Sequence, residues 1–138
     1  LWNDLVQKRI SKKNLKKTTK QIKKLNKKSA KYSDSDFAKE LSIITRQFLS
    51  TRFKKNFNSV VSSKIFFEIN KIFQDTLPES IEEKIHNISS ILERCDYIRF
   101  SGSTEEEALF SFVERSTLSE NLIDAFTVLA DQRSCDKS

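Results

Sequence analysis

Apolar residues recur at helical spacing over residues 76–102, the most regular stretch of the chain. Steps of four, three, four and three residues separate its apolar positions, which are Ile81, Ile85, Ile88, Leu92 and Cys95. Side chains at these steps lie on one face of an α-helix and leave the polar residues to face water. Thr76 and Glu79 have capping-box spacing. Pro78 fits the first turn, and Gly102 fits a helix end. The pattern predicts a central helix against which the other segments pack.

Two shorter segments before the central helix have similar periodicity. Residues 37–54 follow three N-cap candidates at positions 34–36 and have a broad apolar stripe, Phe37, Ala38, Leu41, Ile44, Thr45, Phe48 and Leu49. We interpret the cations on its flank and end as a solvated face: Arg46, Arg52, Lys54 and Lys55. Residues 64–73, with Ser62 or Ser63 as cap, have Phe66 and Phe67 outside their apolar stripe. We therefore expect this second segment to be the most buried helix.

Two further helices are predicted after Gly102. Thr104 and Glu107 have capping-box spacing and precede apolar residues that we expect to pack, Ala108, Leu109, Phe112 and Val113. Thr117 and Glu120 repeat the capping spacing before a last stripe, Leu118, Leu122, Ala125, Phe126 and Leu129. With a single Gly and a single Pro in 138 residues, the chain lacks the turn residues of a β-rich fold.

These elements predict an all-α fold, a compact bundle of four or five helices preceded by a long basic N-terminal helix. We divide the chain into a basic juxtamembrane stem helix (residues 1–31), a helical bundle domain (32–132) and a polar tail (133–138). The stem has only a weak heptad-like spacing of Leu15, Thr18, Ile22 and Leu25.

Charge is divided unevenly between these parts. Residues 1–31 contain twelve Lys or Arg and one acid, a net charge of +11, and the remainder carries −5, so that the whole chain is +6. Such asymmetry predicts that the basic segment contacts a membrane surface or a polyanion. The side chains that we expect to make this contact are Lys8, Arg9, Lys12, Lys13, Lys16, Lys17, Lys20, Lys23, Lys24, Lys27 and Lys28.

Three interpretations of the basic segment remain open. In the first it is a stem beside a membrane, in which Leu1 and Trp2 end a transmembrane helix and the lysines lie on the cytoplasmic side. In the second it is a nucleic-acid arm that contacts only phosphates, because residues 8–31 contain no aromatic residue for base stacking. In the third it is a solvated helix or a partly disordered linker.

Two sequence motifs carry a family resemblance. Residues 92–102, LERCDYIRFSG, resemble an "LLExCDxxRF" signature. The upstream run from FAKEL at residues 37–41 through TRQFLSTRF at residues 45–53 resembles an "LxxxLReyLxxRF" helix. Both are similar to a cytoplasmic domain family of membrane-anchored bacterial proteins encoded beside MoxR-type AAA+ ATPases and von Willebrand factor A proteins, the Bat (aerotolerance) type of gene cluster. The matching positions are Arg52, Phe53, Cys95, Asp96, Arg99 and Phe100. The resemblance implies partner proteins of those two classes and no catalytic residue.

Little in the sequence indicates chemistry. His86 is the only histidine and has no further metal ligand at helical spacing on its turn. Cys95 lies on the apolar stripe, where we expect it to pack as a small hydrophobe, and Cys135 lies in the tail. Asp96 and Arg99 have the spacing of an intrahelical ion pair or could anchor the neighbouring segment. We therefore expect no enzyme activity, metal or cofactor. The leading hypothesis is an interaction module on the cytoplasmic face of the bacterial inner membrane, and the alternative is a small helical nucleic-acid-binding protein.

Overall fold

The chain forms five α-helices and two 3₁₀ turns in a computed structural model that describes residues 2–74, 76–101 and 109–131. The helices are α1 (Trp2–Lys27), α2 (Asp34–Phe53), α3 (Ile65–Ile72), α4 (Glu79–Phe100) and α5 (Phe112–Asp131). No strand occurs in these ranges. The all-α bundle predicted from the sequence is confirmed.

Four of the helices form a closed ring around one core. Helix α1 packs against α2 and α5, and α4 packs against the same two helices from the other side. Neighbours run antiparallel: Lys84 of α4 pairs with Asp124 of α5, and Arg94 near the end of α4 pairs with Glu114 near the start of α5. The short helix α3 lies outside the ring, on α4. The predicted stripes of α2, α4 and α5 are buried in this core, with Leu118 partly so.

Helix α1 packs on the bundle through the residues of its weak heptad-like spacing. Thr18, Ile22 and Leu25 are buried, and Leu15 packs at the edge of the core. The Asn14 side chain donates to the Phe48 carbonyl over 3.2 Å, which sets the register of α1 on α2. In this register the end of α2 lies level with about residue 9, and no side chain of residues 3–13 is buried. Among the described residues, the first turns of α1 therefore extend past the end of α2.

The prediction that the third helix is the most buried is wrong. Only Ile65 and Ile69 of α3 are buried, whereas Phe67 is 55% exposed. Phe66 stacks at 4.1 Å on the exposed imidazole of His86. Because α3 packs mainly on α4, its additional apolar residues remain in contact with solvent.

Helix boundaries differ from the sequence expectations at three places. The cap of α2 is Ser33, one residue before the predicted candidates, and its hydroxyl accepts from the Asp36 N–H. No side-chain cap begins α3 or α4, since Ser62 and the Thr76 hydroxyl bond elsewhere and Pro78 is the N-cap of α4. Helix α5 runs without a break through Thr117, where a new helix was predicted.

Several predictions fall outside the described residues. These are Leu1, the stop at Gly102, the Thr104–Glu107 cap, the packing of Ala108, Cys135 and the tail. The predicted packing of Leu109, Phe112 and Val113 is wrong, since their side chains are 54%, 60% and 77% exposed. Phe110, which is not part of any predicted stripe, is buried instead and lies edge-on to Phe37 at 5.5 Å.

Candidate functional site

The eleven basic side chains predicted to contact a polyanion are all exposed, and together they define the basic face. They occupy the side of α1 opposite its buried stripe because helical positions three and four residues apart share a face. At a rise of about 1.5 Å per residue the basic face extends roughly 30 Å from Lys8 to Lys28. The only acid in α1 is Asp4, in its first turn. The basic face is thus a long cationic surface fixed on a folded domain.

Arg115 fixes the C-terminal end of α1. The guanidinium of this 2% exposed residue donates to the carbonyl of Ser29 over 2.7 Å and to its hydroxyl over 2.9 Å. It also donates to the Asp34 carboxylate over 2.7 Å and to the Phe110 carbonyl over 3.0 Å. These bonds join the α1–α2 turn to the start of α5. The basic face therefore has a defined orientation relative to the core.

The overhanging turns of α1 combine basic and apolar side chains. Leu5 is 61% exposed and Ile10 is 40% exposed, on the same turns as Lys8 and Arg9. Aliphatic side chains beside cations suit the boundary between lipid headgroups and acyl chains. Within the described part of the chain, no helix is long and apolar enough to span a bilayer.

The two resemblance motifs meet in one partly buried polar network. Arg46 donates to the carbonyls of Phe57 and Val60 and, over 3.0 Å, to the Ser62 hydroxyl. Ser62 in turn donates to the Asp96 carboxylate over 2.6 Å. Burial lowers the pKa of Arg46, and the Asp96 carboxylate opposes this effect. The network joins α2, the connection after it and α4, so the interpretation of Arg46 as part of a solvated face is wrong.

The remaining signature residues do not form one site. Arg52 donates to the Leu129 carbonyl over 2.7 Å at one end of the bundle, where Phe53 is buried. Arg99 and Phe100 lie at the C-terminal end of α4. The Arg99 guanidinium stacks on the Phe100 ring rather than pairing with Asp96. The Cys95 thiol is fully buried, as predicted, and burial raises its pKa to about 12. These positions serve packing at separate places.

A second surface, the apolar end, lies where α4 finishes and α5 begins. It comprises Tyr97, Phe100, Leu109, Phe112 and Val113, each at least 45% exposed. Arg94 holds its two sides together, since its guanidinium lies 5.7 Å from the Tyr97 ring centroid and donates to the Leu109 carbonyl over 3.0 Å. An open cleft of about 490 Å³ runs between this end and the residues around Tyr32. Exposed apolar patches of this kind mark interaction surfaces.

The described residues contain no cluster of three or more His, Cys, Asp or Glu that could hold a metal ion. His86 lies 3.8 Å from a Glu82 oxygen on the exposed side of α4.

No family model matches this chain, and no curated protein or solved structure matches it either. The Bat-type resemblance therefore stays a prediction.

Proposed function

We propose that this chain is a non-enzymatic interaction module of a membrane-anchored bacterial protein. It lies on the cytoplasmic side of the inner membrane, contacts anionic lipid headgroups through the first turns of its basic face, and binds a partner protein through its apolar end. The observation that carries the proposal is the exposure of all eleven basic side chains on a helix whose opposite side is buried in the core.

The overhang of α1 favours a membrane over a nucleic acid as the anionic partner. Leu5 and Ile10 beside Lys8 and Arg9 can enter the headgroup region, whereas base stacking requires aromatic rings. The remainder of the chain carries −5. A body of this charge is repelled by a duplex, while the overhang keeps it away from the lipid surface. Each cation near an anionic leaflet contributes about 1 kcal/mol.

Sedimentation with vesicles tests the membrane contact. The domain should pellet with phosphatidylglycerol vesicles, remain in solution with phosphatidylcholine vesicles, and dissociate as salt is raised, because screening shortens the reach of the lysines. A parallel titration with duplex DNA tests the alternative. Tight, salt-sensitive DNA binding without vesicle binding would replace the membrane with a nucleic acid.

Fractionation of cells that contain the full-length protein tests the anchor separately. Membrane association that resists a high-salt wash supports an integral anchor. Release by salt would leave only a peripheral contact and remove the anchored part of the proposal.

The apolar end is assigned to partner proteins, and the resemblance suggests AAA+ ATPases and von Willebrand factor A proteins as the first to test. Phe100→Ser and Phe67→Ser form a matched pair, because the parent side chains are 70% and 55% exposed on different faces. Copurification with such a partner should be lost for Phe100→Ser and retained for Phe67→Ser. Equal retention by both variants would exclude the apolar end as the contact.

A further inference from the structure

A polar cleft between α1 and α2 has features of a small-anion site. It has a volume of about 240 Å³ and is lined by Asn14, Lys17, Thr18, Gln21, Gln47, Ser50, Thr51 and Asn58. A water molecule takes about 30 Å³ of liquid volume, so the cleft has room for a tetrahedral oxyanion and part of an attached ester group. Every lining residue is polar, and none is acidic. At the cleft, α1 and α2 therefore do not bury an apolar layer between them.

Thr18 gives the most direct indication of a ligand. Its side chain is only 3% exposed and lines the cleft, yet no described group forms a hydrogen bond with its hydroxyl. The hydroxyl is not among the sealed, unpartnered side-chain atoms of the described chain, so it keeps some accessible surface on a residue that lines the cleft. Thr18 is thus available to donate to a molecule bound there.

The other unengaged groups around the cleft are also donors. In the described part of the chain, no side-chain hydrogen bond or ion pair engages Lys17, Gln21, Gln47 or Thr51. Hydroxyl, amide and ammonium groups donate to oxyanions, and hydrogen bonds to charged acceptors are the strong ones. The basic face continues along α1 on both sides of the cleft and raises the local concentration of anions.

We infer that this cleft binds a phosphate group, with Thr18 and the amides as neutral donors and Lys17 as the cation. The group can belong to a soluble phosphate ester or to a lipid headgroup, which present the same oxygens. The inference stands apart from the proposed membrane contact, because a soluble ester can occupy the cleft without a membrane.

Three substitutions separate this site from general attraction to lysines. Thr18→Val removes the hydroxyl and nearly keeps the shape, and Lys17→Gln removes the cation that lines the cleft. Lys16→Gln removes the same charge from the adjacent exposed residue, which does not line it. We expect the first two to weaken binding of the soluble phosphate probes about tenfold each and Lys16→Gln to change it less than about twofold. Circular dichroism and a urea titration establish that each variant is folded.

Amide NMR titrations with inorganic phosphate and glycerol 3-phosphate provide the measurement, with phosphatidic acid vesicles as the second probe. Saturable shifts at Thr18, Gln21 and Gln47 with soluble probes assign the cleft to a free phosphate ester. Loss of vesicle binding in Thr18→Val, without any soluble binding, assigns it to a headgroup. Equal weakening of soluble phosphate binding by Lys16→Gln and Lys17→Gln would overturn the site. Vesicle binding that Thr18→Val leaves unchanged, together with no saturable soluble binding, would also overturn it. The last result would leave the membrane contact itself intact.

Discussion

The guanidinium of Arg115 lies 2.7 Å from the carboxylate of Asp34, and 81 residues separate the two in the chain. The pair joins the first turn of α5 to the first turn of α2. Arg115 also holds Ser29, in the turn that follows α1. The orientation of the basic face therefore depends on an arginine far from it in sequence.

Arg115→Met should destabilise the domain by about 3 kcal/mol. The substitution removes the guanidinium from the Asp34 carboxylate and from the Phe110 carbonyl, while the Ser29 carbonyl keeps the Tyr32 N–H as a donor. Breaking a buried pair from one side typically costs about 3–5 kcal/mol. Arg99→Met is the control, since the Arg99 guanidinium only stacks on the Phe100 ring and should contribute less than about 1 kcal/mol. Urea unfolding followed by circular dichroism measures both. Equal losses would contradict the role of Arg115.

Arg46→Met should cost about 2–3 kcal/mol and release the connection between α2 and α3. Arg46 donates to the carbonyls of Phe57 and Val60 and to the Ser62 hydroxyl, and its removal takes one hydrogen bond from each of these acceptors. Amide hydrogen exchange should accelerate over residues 57–62 and remain unchanged in α5. Lys39→Met, at an exposed position of the same helix, should leave both measurements unchanged. Unaltered exchange at 57–62 in Arg46→Met would show that the network is unimportant.

Thr45→Val should leave stability unchanged or raise it by about 1 kcal/mol. The Thr45 hydroxyl is the one sealed side-chain polar atom in the described chain without a hydrogen bond, and valine removes it while keeping the shape. Ser89→Ala should instead cost about 1 kcal/mol, because the Ser89 hydroxyl donates to the Ser62 carbonyl over 2.9 Å. The midpoint temperature of thermal unfolding should fall for Ser89→Ala and should rise or stay unchanged for Thr45→Val. A large loss in Thr45→Val would indicate a partner for that hydroxyl.

The free energy of unfolding should fall as pH rises in the alkaline range, because the Cys95 thiol titrates. Burial, with a smaller contribution from Asp96, raises the pKa of its thiol from 9.0 to about 12. The folded state thus keeps a proton that the unfolded chain releases. The contribution is complete below pH 9.0 and is lost as pH rises toward 12, with a slope of about 1.4 kcal/mol per unit. Cys95→Ala should lack this part of the slope, measured by urea unfolding between these pH values. Identical slopes in parent and variant would contradict the assignment.

Helical periodicity was sufficient to predict the core because the stripe of α4 repeats over several turns from Ile81 to Cys95. Even the weak spacing of α1 is confirmed, since Ile22 and Leu25 are buried among many lysines. The basic face could likewise be identified from the sequence. Lysine side chains are charged, so their exposure can be predicted from the residue type. The position of a neighbouring helix cannot be predicted in this way.

Contacts between distant segments could not be predicted. Arg115 and Ser29 are 86 residues apart, and nothing local distinguishes Arg115 from a surface arginine. Phe67 shows the converse, because an apolar side chain does not reveal whether another element covers it. The cleft around Thr18 is hidden for the same reason, since it exists only where α1 and α2 lie side by side.

The central claim, a membrane contact led by the overhang of α1, is tested most directly by two charge-matched variants. One replaces Lys8, Arg9, Lys12 and Lys13 with Gln, and the other replaces Lys23, Lys24, Lys27 and Lys28. The two groups lie roughly 22 Å apart along α1, more than twice the Debye length of about 10 Å at 0.1 M salt, so a membrane at the overhang attracts only the first group. Binding to phosphatidylglycerol vesicles should weaken by roughly 4 kcal/mol, about a thousandfold, in the first variant and change little in the second. Equal binding by both variants, whether retained or lost, would contradict a contact led by the overhang.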